Sequence, residues 1–414
     1  MLIGAGQYLN LLARGTVTVD TSEDSLFTAA NLYDGLASKP FRFSSSTSDS
    51  VITCDLNMMS NGGFETGNTS GWTANVSSTA TNLVAVTSAN PNAGTYSLVL
   101  TYATASTSDY CGAYQDRTFP TGERVNLTIA LSGNTTTRLR VQCVETGGYL
   151  STDATWGTTS AYAVVNPSTS YVTTTLTFTT PETTDARRAT VTLRFQPIMV
   201  GATTAVGYAD DIYVHPSANF LGVFGHDLGP IAPKWLASTD GVVATAASTV
   251  ATMTPAARSF YSYTTTPVDY RYLHLLLSGV PHEAPWFGEV VAAQVETVGQ
   301  RPLWGYETAD SLSQARATTV DGGVAHVFQL ADDARRSIKF SWTFGDASGW
   351  TQFHQDVLRR SEYGRWPVVV VPFTSESDVI YGHIGEGVSY ARDLPNWRDA
   401  GSVVISEDPL PTWI

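Results

Sequence analysis

Charge is scarce in this chain. Asp, Glu, Lys and Arg make up only 14% of its 414 residues, lysine is confined to positions 39, 234 and 339, and the net charge is −14. Nucleic-acid affinity derives from Lys and Arg displacing phosphate counterions, so this balance excludes nucleic acid as a partner. Cysteine is equally sparse. Cys54, Cys111 and Cys143 cannot all pair within the chain, and no disulfide framework supports the fold. Cys111 and Cys143 leave a bridge open, with buried free thiols as the simpler reading. Residues 1–10 lack a basic region followed by an apolar run, so no signal peptide is expected. No stretch approaches the roughly 20 apolar residues of a membrane span. The expectation is a soluble chain made in a cytoplasm.

Catalytic patterns are missing too. Seven histidines, at 215, 226, 274, 282, 326, 354 and 383, form neither a His-Glu-x-x-His nor a Cys-x-x-Cys arrangement. Gly-x-Ser-x-Gly and a phosphate-cradling Gly-rich loop are absent. His226-Asp227 reads as part of a turn at a strand end. Asp210 and Asp211, adjacent on a strand, should point to opposite faces and cannot act on one bond. Asp332-Asp333 reads as a solvated tip. The chain is therefore expected not to be an enzyme.

What is present is β-structure. Hydrophobic residues reach 43%, ample for folded cores, and the length favours two or three domains. Alternating or β-branched runs at 15–20, 51–56, 83–86, 96–102, 125–131, 138–144, 172–178 and 189–195 are punctuated by Gly, Asn, Pro and Ser turns. Leu139, Val141 and Cys143 alternate with Arg138, Arg140 and Gln142, as a sandwich strand with one buried face requires. Between 58 and 215 no helical period is evident. Beyond 312 the pattern predicts a pair of long strands at 324–330 and 337–344 around a charged turn. An amphipathic helix is predicted over 346–360, with Trp350, Phe353, Val357 and Leu358 on its apolar side. A buried strand is predicted at 366–373 and another at 379–384.

The segment Asn61-Gly62-Gly63-Phe64-Glu65, with Gly71-Trp72, and the closing strand Tyr208-Ala209-Asp210-Asp211 resemble the ends of carbohydrate-binding modules of the family 4/9 type. That resemblance implies a jelly-roll sandwich and a structural Ca²⁺ held by Glu65 and Asp210, with Asp211 as the alternative to Asp210. A salt bridge or turn cap at Glu65 stays open. Sugar binding needs aromatic faces that stack on a pyranose beside polar groups. Tyr110, Tyr114, Tyr149 and Trp156 are the candidates, because they lie in Gly/Ser/Thr-rich stretches. Trp72 reads as a core plug.

The flanks resemble a discoidin-like (F5/8 type C) jelly roll, through Asn31-Leu32-Tyr33-Asp34-Gly35, Phe41-Arg42, the strand ending in Asp55-Leu56, and Tyr270-Arg271. The expected fold class is mainly β. A discontinuous discoidin-like jelly roll (1–57 plus 217–298) would carry an inserted carbohydrate-binding-like β-sandwich (58–216), followed by a C-terminal α+β domain (299–414). That order, with Trp366-Pro367 and Tyr381-Gly382, is similar to minor tail and baseplate-type virion proteins of tailed bacteriophages. The resemblance implies a virion location after synthesis in the host cytoplasm, other tail or virion proteins and host cell-surface glycans as partners, and a homo-oligomer in a symmetric assembly. A secreted or accessory carbohydrate-binding protein, or a capsid decoration protein, is the alternative.

Overall fold

A computed structural model of the chain describes residues 2–6, 8–20, 23–35, 39–44, 50–77, 83–102, 110–133, 137–166, 168–183, 189–200, 205–228, 231–243, 248–253, 259–278, 286–297, 306–311, 314–317, 326–329, 335–344, 354–362, 364–371, 379–385, 390–394 and 397–407. It is mainly β and divides into two compact units, Leu56–Ser217 and the combination of Met1–Asp55 with Ala218–Ile414.

The Leu56–Ser217 unit is built from two antiparallel sheets. In one, the strands run in the order Trp156–Gly157, Tyr149–Leu150, Thr137–Cys143, Thr190–Val200, Tyr110–Pro120 and Thr73–Val76, and Val164–Val165 pairs beside Thr137–Cys143. The other runs Val172–Thr179, Arg124–Ser132, Ala205–Pro216, Ser97–Tyr102 and Leu83–Thr87. Alternation decides the core. Leu139, Val141 and Cys143 on one strand and Val191, Leu193 and Phe195 on its neighbour are fully buried against Leu127, Ile129 and Leu131 of the second sheet. Cys111 and Cys143 are free thiols inside this core, and burial pushes the Cys111 thiol up to about 11.

The other unit contains a pair of smaller antiparallel sheets, each combining strands from both sides of the insert. Ser50–Asp55 pairs with Tyr272–Ser278, and Phe41–Arg42 pairs with Trp286–Ala293. Ala218–Asp227, which follows the insert, is hydrogen-bonded to Trp286–Ala293, so the strands that flank the insertion lie in different sheets of one structure. Arg271 clamps Asp55 with paired bonds, Nε to Oδ1 at 2.9 Å and Nη2 to Oδ2 at 2.6 Å. Asn31 closes its turn by donating to the Pro40 carbonyl at 2.9 Å.

The C-terminal region departs from the expected α+β domain. Val368–Val371 is a run of four buried valines, and a strand apolar on both sides needs cover on both. Val368 and Val370 pack with Ile3, Val357 and Leu358, while Val369 and Val371 pack with Phe220, Phe224 and Val291. The sheet therefore recruits Leu2–Ala5 from the start of the chain as a direct neighbour of Val368–Val371, so 1–57 is not confined to the sandwich, and the described residues of 299–414 share their core clusters with Ile3, Leu9, Phe220 and Val291. Residues 346–353 of the predicted helix lie outside the described residues. The rest forms one short π-helix, His354–Arg359, whose Val357 and Leu358 are buried. The strands predicted to pair with each other do not. Arg335–Phe344 lies between Tyr306–Ser311 and Trp397–Glu407, and His326–Gln329 pairs with Gln314–Ala317. His226-Asp227 ends a strand instead of forming a turn, paired through to Phe287 and Trp286. Asp332-Asp333 lies outside the described residues.

Candidate carbohydrate-binding face

The motif that opens the insert acts first as a structural device. Asn61 and Phe64 both adopt left-handed backbone, with φ of 50° and 56°. Asn tolerates this well, and Phe64 does so while fully buried against Trp72, ring centroids 5.5 Å apart. Trp72 is the expected core plug, and its Nε1 donates to the Asn61 carbonyl at 3.1 Å. Gly62 lies so close to the closing strand that a Cβ there would sit 2.0 Å from the Ile212 carbonyl oxygen, and its own carbonyl accepts from Ile212 N at 3.0 Å.

Glu65 and Asp210 converge on one loop. Glu65 accepts from Thr95 N at 3.1 and 2.9 Å through its two oxygens and from Tyr96 N at 3.2 Å. Asp210 is fully buried, and it accepts from Asn92 N at 2.9 Å, Ala93 N at 3.4 Å and Asp211 N at 2.8 Å. Burial pushes its carboxyl up to about 6, against the pull of those amides, and the neighbouring Asp211 charge adds to the rise. The alternation expected of Asp210 and Asp211 fails because a β-bulge falls between Asp210 and Tyr213 and Asp211 has φ of 51°. Both carboxylates consequently engage Asn92, Asp211 accepting from its side-chain nitrogen at 2.8 Å.

The family resemblance implies a Ca²⁺ between Glu65 and Asp210. Ca²⁺ takes six to eight oxygens, yet every oxygen of Glu65 and Asp210 already accepts at least one backbone N–H. Among the described residues no cluster of three or more His, Cys, Asp or Glu could hold a metal. As arranged, the two carboxylates staple the 92–96 loop through its backbone amides. Chelator is expected to leave the thermal melting of the unit unchanged. Glu65→Ala should lower its stability by about 1 kcal/mol, the modest value of charge-assisted bonds at an exposed site.

The tyrosines mark a different place. On the larger sheet, the side turned away from the core carries rows set by strand register. One row runs Tyr149, Gln142, Arg194, Asp116. The next runs Arg140 and Gln196, continuing in the same register to Tyr114 and Thr73. The third runs Arg138, Ile198, Gly112, Asn75. Arg194 is held from two directions. It makes paired bonds of 2.9 Å to Asp116, and its Cζ lies 4.0 Å from the centroid of the Tyr114 ring. Gln142 donates to the Tyr149 hydroxyl at 3.2 Å. Tyr162 joins from the adjoining segment, its ring 4.6 Å from Arg138 Cζ and 5.4 Å from Arg140 Cζ.

Three of the four candidate aromatics share this face. Tyr110 lies at its end, opposite Val200, and its hydroxyl donates to Asn75 Oδ1 at 3.3 Å. Trp156 does not belong to it. It pairs with the core residue Leu150, packs edge-on against Phe178 at 5.9 Å, and donates from Nε1 to the Thr179 carbonyl at 2.8 Å. Its ring covers the sandwich edge. Tyr162, Arg140, Arg194, Gln142 and Gln196 were missed by sequence reasoning. The alternation of Arg138, Arg140 and Gln142 was visible, but nothing local linked those residues to Tyr114 and Tyr149.

Residues 56–197 match the family model described as a carbohydrate binding domain, a span that falls within the Leu56–Ser217 unit. No curated protein sequence matches the chain. Among solved structures, the chain is similar to the enzymatically active domain of Bacteriophage CBA120 tailspike protein 4, at 17% identity and a TM-score of 0.29, over 39% of this chain and 21% of that one. It thus spans about a fifth of the tailspike chain. It is also similar to TmCBM61 in complex with β-1,4-galactotriose (16% identity, TM-score 0.27, 39% of this chain and 98% of that one). A third is the CBM22-1 xylan-binding domain of Xyn10C from Paenibacillus barcinonensis (15% identity, TM-score 0.26, 37% of this chain and 90% of that one). Among the described residues no helix is long and apolar enough to cross a membrane.

Proposed function

We propose that the Leu56–Ser217 unit binds carbohydrate through the face carrying Tyr114, Arg194, Gln142 and Tyr149, and that the chain is a structural virion protein of a tailed phage which presents this unit to host-surface glycans. The observation that carries the binding role is the coincidence of a carbohydrate-binding family match with a compact unit whose outward sheet face is lined by tyrosines and hydrogen-bonding side chains. Aromatic rings supply stacking surface, and the fixed Arg and Gln groups supply direction. The role is adhesion, with no chemical step. The virion setting rests on the sequence resemblance of the flanks and on the position of the unit as an insert. In a symmetric assembly, many weak sites would act together through effective concentration.

A glycan array probed with the full chain tests the binding role. Tyr114→Ala should weaken retention on any bound glycan by about thirtyfold, the scale of losing about 2 kcal/mol from a central aromatic contact. Retention that Tyr114→Ala leaves unchanged would place the site elsewhere. Electron microscopy of the purified chain tests the assembly role, a closed ring being the expected particle.

A further inference from the structure

The same face carries donors with nothing to donate to. Arg140 and Gln196 are cross-strand partners in the centre of the sheet, which brings their side chains side by side on one surface. Arg140 Nε and Gln196 Nε2 are both buried and have no hydrogen-bond acceptor. Gln196 is 2% exposed, so bulk water does not serve it as it would a surface amide. Leaving a buried donor unpaired is unfavourable, and two adjacent ones beside an aromatic-lined surface mark the place where an external acceptor is received.

The charge of the acceptor follows from the cations. Arg194 is neutralised by Asp116. Arg140 has no carboxylate partner among the described residues, and its guanidinium is flanked by the rings of Tyr149 and Tyr162, with Cζ 5.7 and 5.4 Å from their centroids. Arg138 lies against Tyr162 on the same surface. Among the described residues of these rows, Arg140 is thus a cation on this face with no carboxylate beside it, on a chain whose net charge is −14. A neutral sugar hydroxyl could accept from both donors but would leave the Arg140 charge unbalanced. An oxyanion satisfies both and balances Arg140.

We propose that the ligand of this face is an anionic polysaccharide, whose carboxylate or sulfate is received by Arg140 Nε and Gln196 Nε2 beside Tyr114 and Tyr149. This rests on the carbohydrate-binding reading and adds the class of sugar. Arg140 and Gln196 select the charged sugar, while the tyrosines hold the ring.

The test is affinity electrophoresis of the full chain in gels containing polygalacturonate, dextran sulfate, neutral galactan or neutral dextran, at low and high salt. Retardation by at least one acidic polymer should exceed that by either neutral polymer by about tenfold in apparent Kd and weaken with salt. Arg140→Gln should remove that preference. Arg140→Lys should keep part of it, and Gln196→Leu should reduce it. Lys39→Gln, outside the unit, controls for unspecific attraction to polyanions and should change nothing. Polygalacturonate acting alone assigns a carboxylate, and dextran sulfate acting alone assigns a sulfate. Equal retardation by acidic and neutral polymers, or an acidic preference that survives Arg140→Gln in a variant of unchanged melting temperature, overturns this proposal and leaves the carbohydrate-binding reading standing. No retardation by any of the four polymers overturns the proposal, and an empty glycan array besides would overturn that reading with it.

Discussion

Gly62→Ala is expected to unfold the Leu56–Ser217 unit or leave it barely stable, whereas Gly63→Ala, one residue later, is expected to cost almost nothing. A Cβ on Gly62 would sit 2.0 Å from the Ile212 carbonyl oxygen and 3.1 Å from its carbon, and both are backbone atoms of the closing strand. Relief requires that strand to move away from the opening segment. That motion breaks the Ile212 N to Gly62 O bond and loosens Phe64, which is fully buried next to it. Overpacking against rigid backbone costs about 3 kcal/mol or more, a large part of the roughly 5–15 kcal/mol that stabilises an ordinary domain. At Gly63 the nearest atoms to a Cβ are the Tyr213 hydroxyl at 3.8 Å and a carboxylate oxygen of Asp211 at 3.9 Å, which is ordinary contact. Urea unfolding of the two variants measures the contrast, and equal midpoints would refute the close-approach argument.

The second large effect concerns Glu289 in the other unit. Its side chain is completely buried, accepting from Asn10 Nδ2 at 3.2 Å and from the Tyr381 hydroxyl at 3.3 Å. Burial pushes its pKa well above the usual carboxylate range, the nearby Asp34 charge adds to the rise, and the bonds from Asn10 and Tyr381 oppose it. The folded state therefore holds this proton more tightly than the unfolded chain does. Its contribution to stability is greatest below the unfolded value of about 4.3 and is lost as pH rises from there through the raised folded value. Glu289→Gln mimics the protonated acid and removes that titration. At about pH 8 to 9 the variant should melt higher than the parent, by about 2–4 °C for each kcal/mol relieved, and the two should converge near pH 4. A parent whose melting temperature climbs with pH over that window, with no gain from Glu289→Gln, would show that the carboxylate is charged and stabilising.

Much of the insert was legible locally. Residues such as Arg138 to Cys143 state their inward and outward sides by alternation, and Trp72 announced itself as a core residue by its place beside a Gly-rich opening. The buried strand near Val368 was legible for the same reason, four apolar residues in succession. The predicted helix over 346–360 was not a safe inference. Val357 and Leu358 are buried as its pattern required, but a pair of apolar residues is satisfied equally by one turn laid against a sheet. Asp210 and Asp211 misled because alternation assumes an unbroken strand, and the bulge lies at that point.

The sequence alone determined which residues of each strand are apolar and inward and where the chain must turn, because both follow from a period of two and from the torsion preferences of neighbouring residues. Tertiary structure decided which outward residues become neighbours. Gln196 meets Arg140, Tyr149 meets Gln142 and Leu2–Ala5 meets Val368–Val371 through register and sheet order. Those pairings join residues up to 369 positions apart, Leu2 and Val371, and no local pattern encodes them, since each strand edge offers the same N–H and C=O groups to any partner.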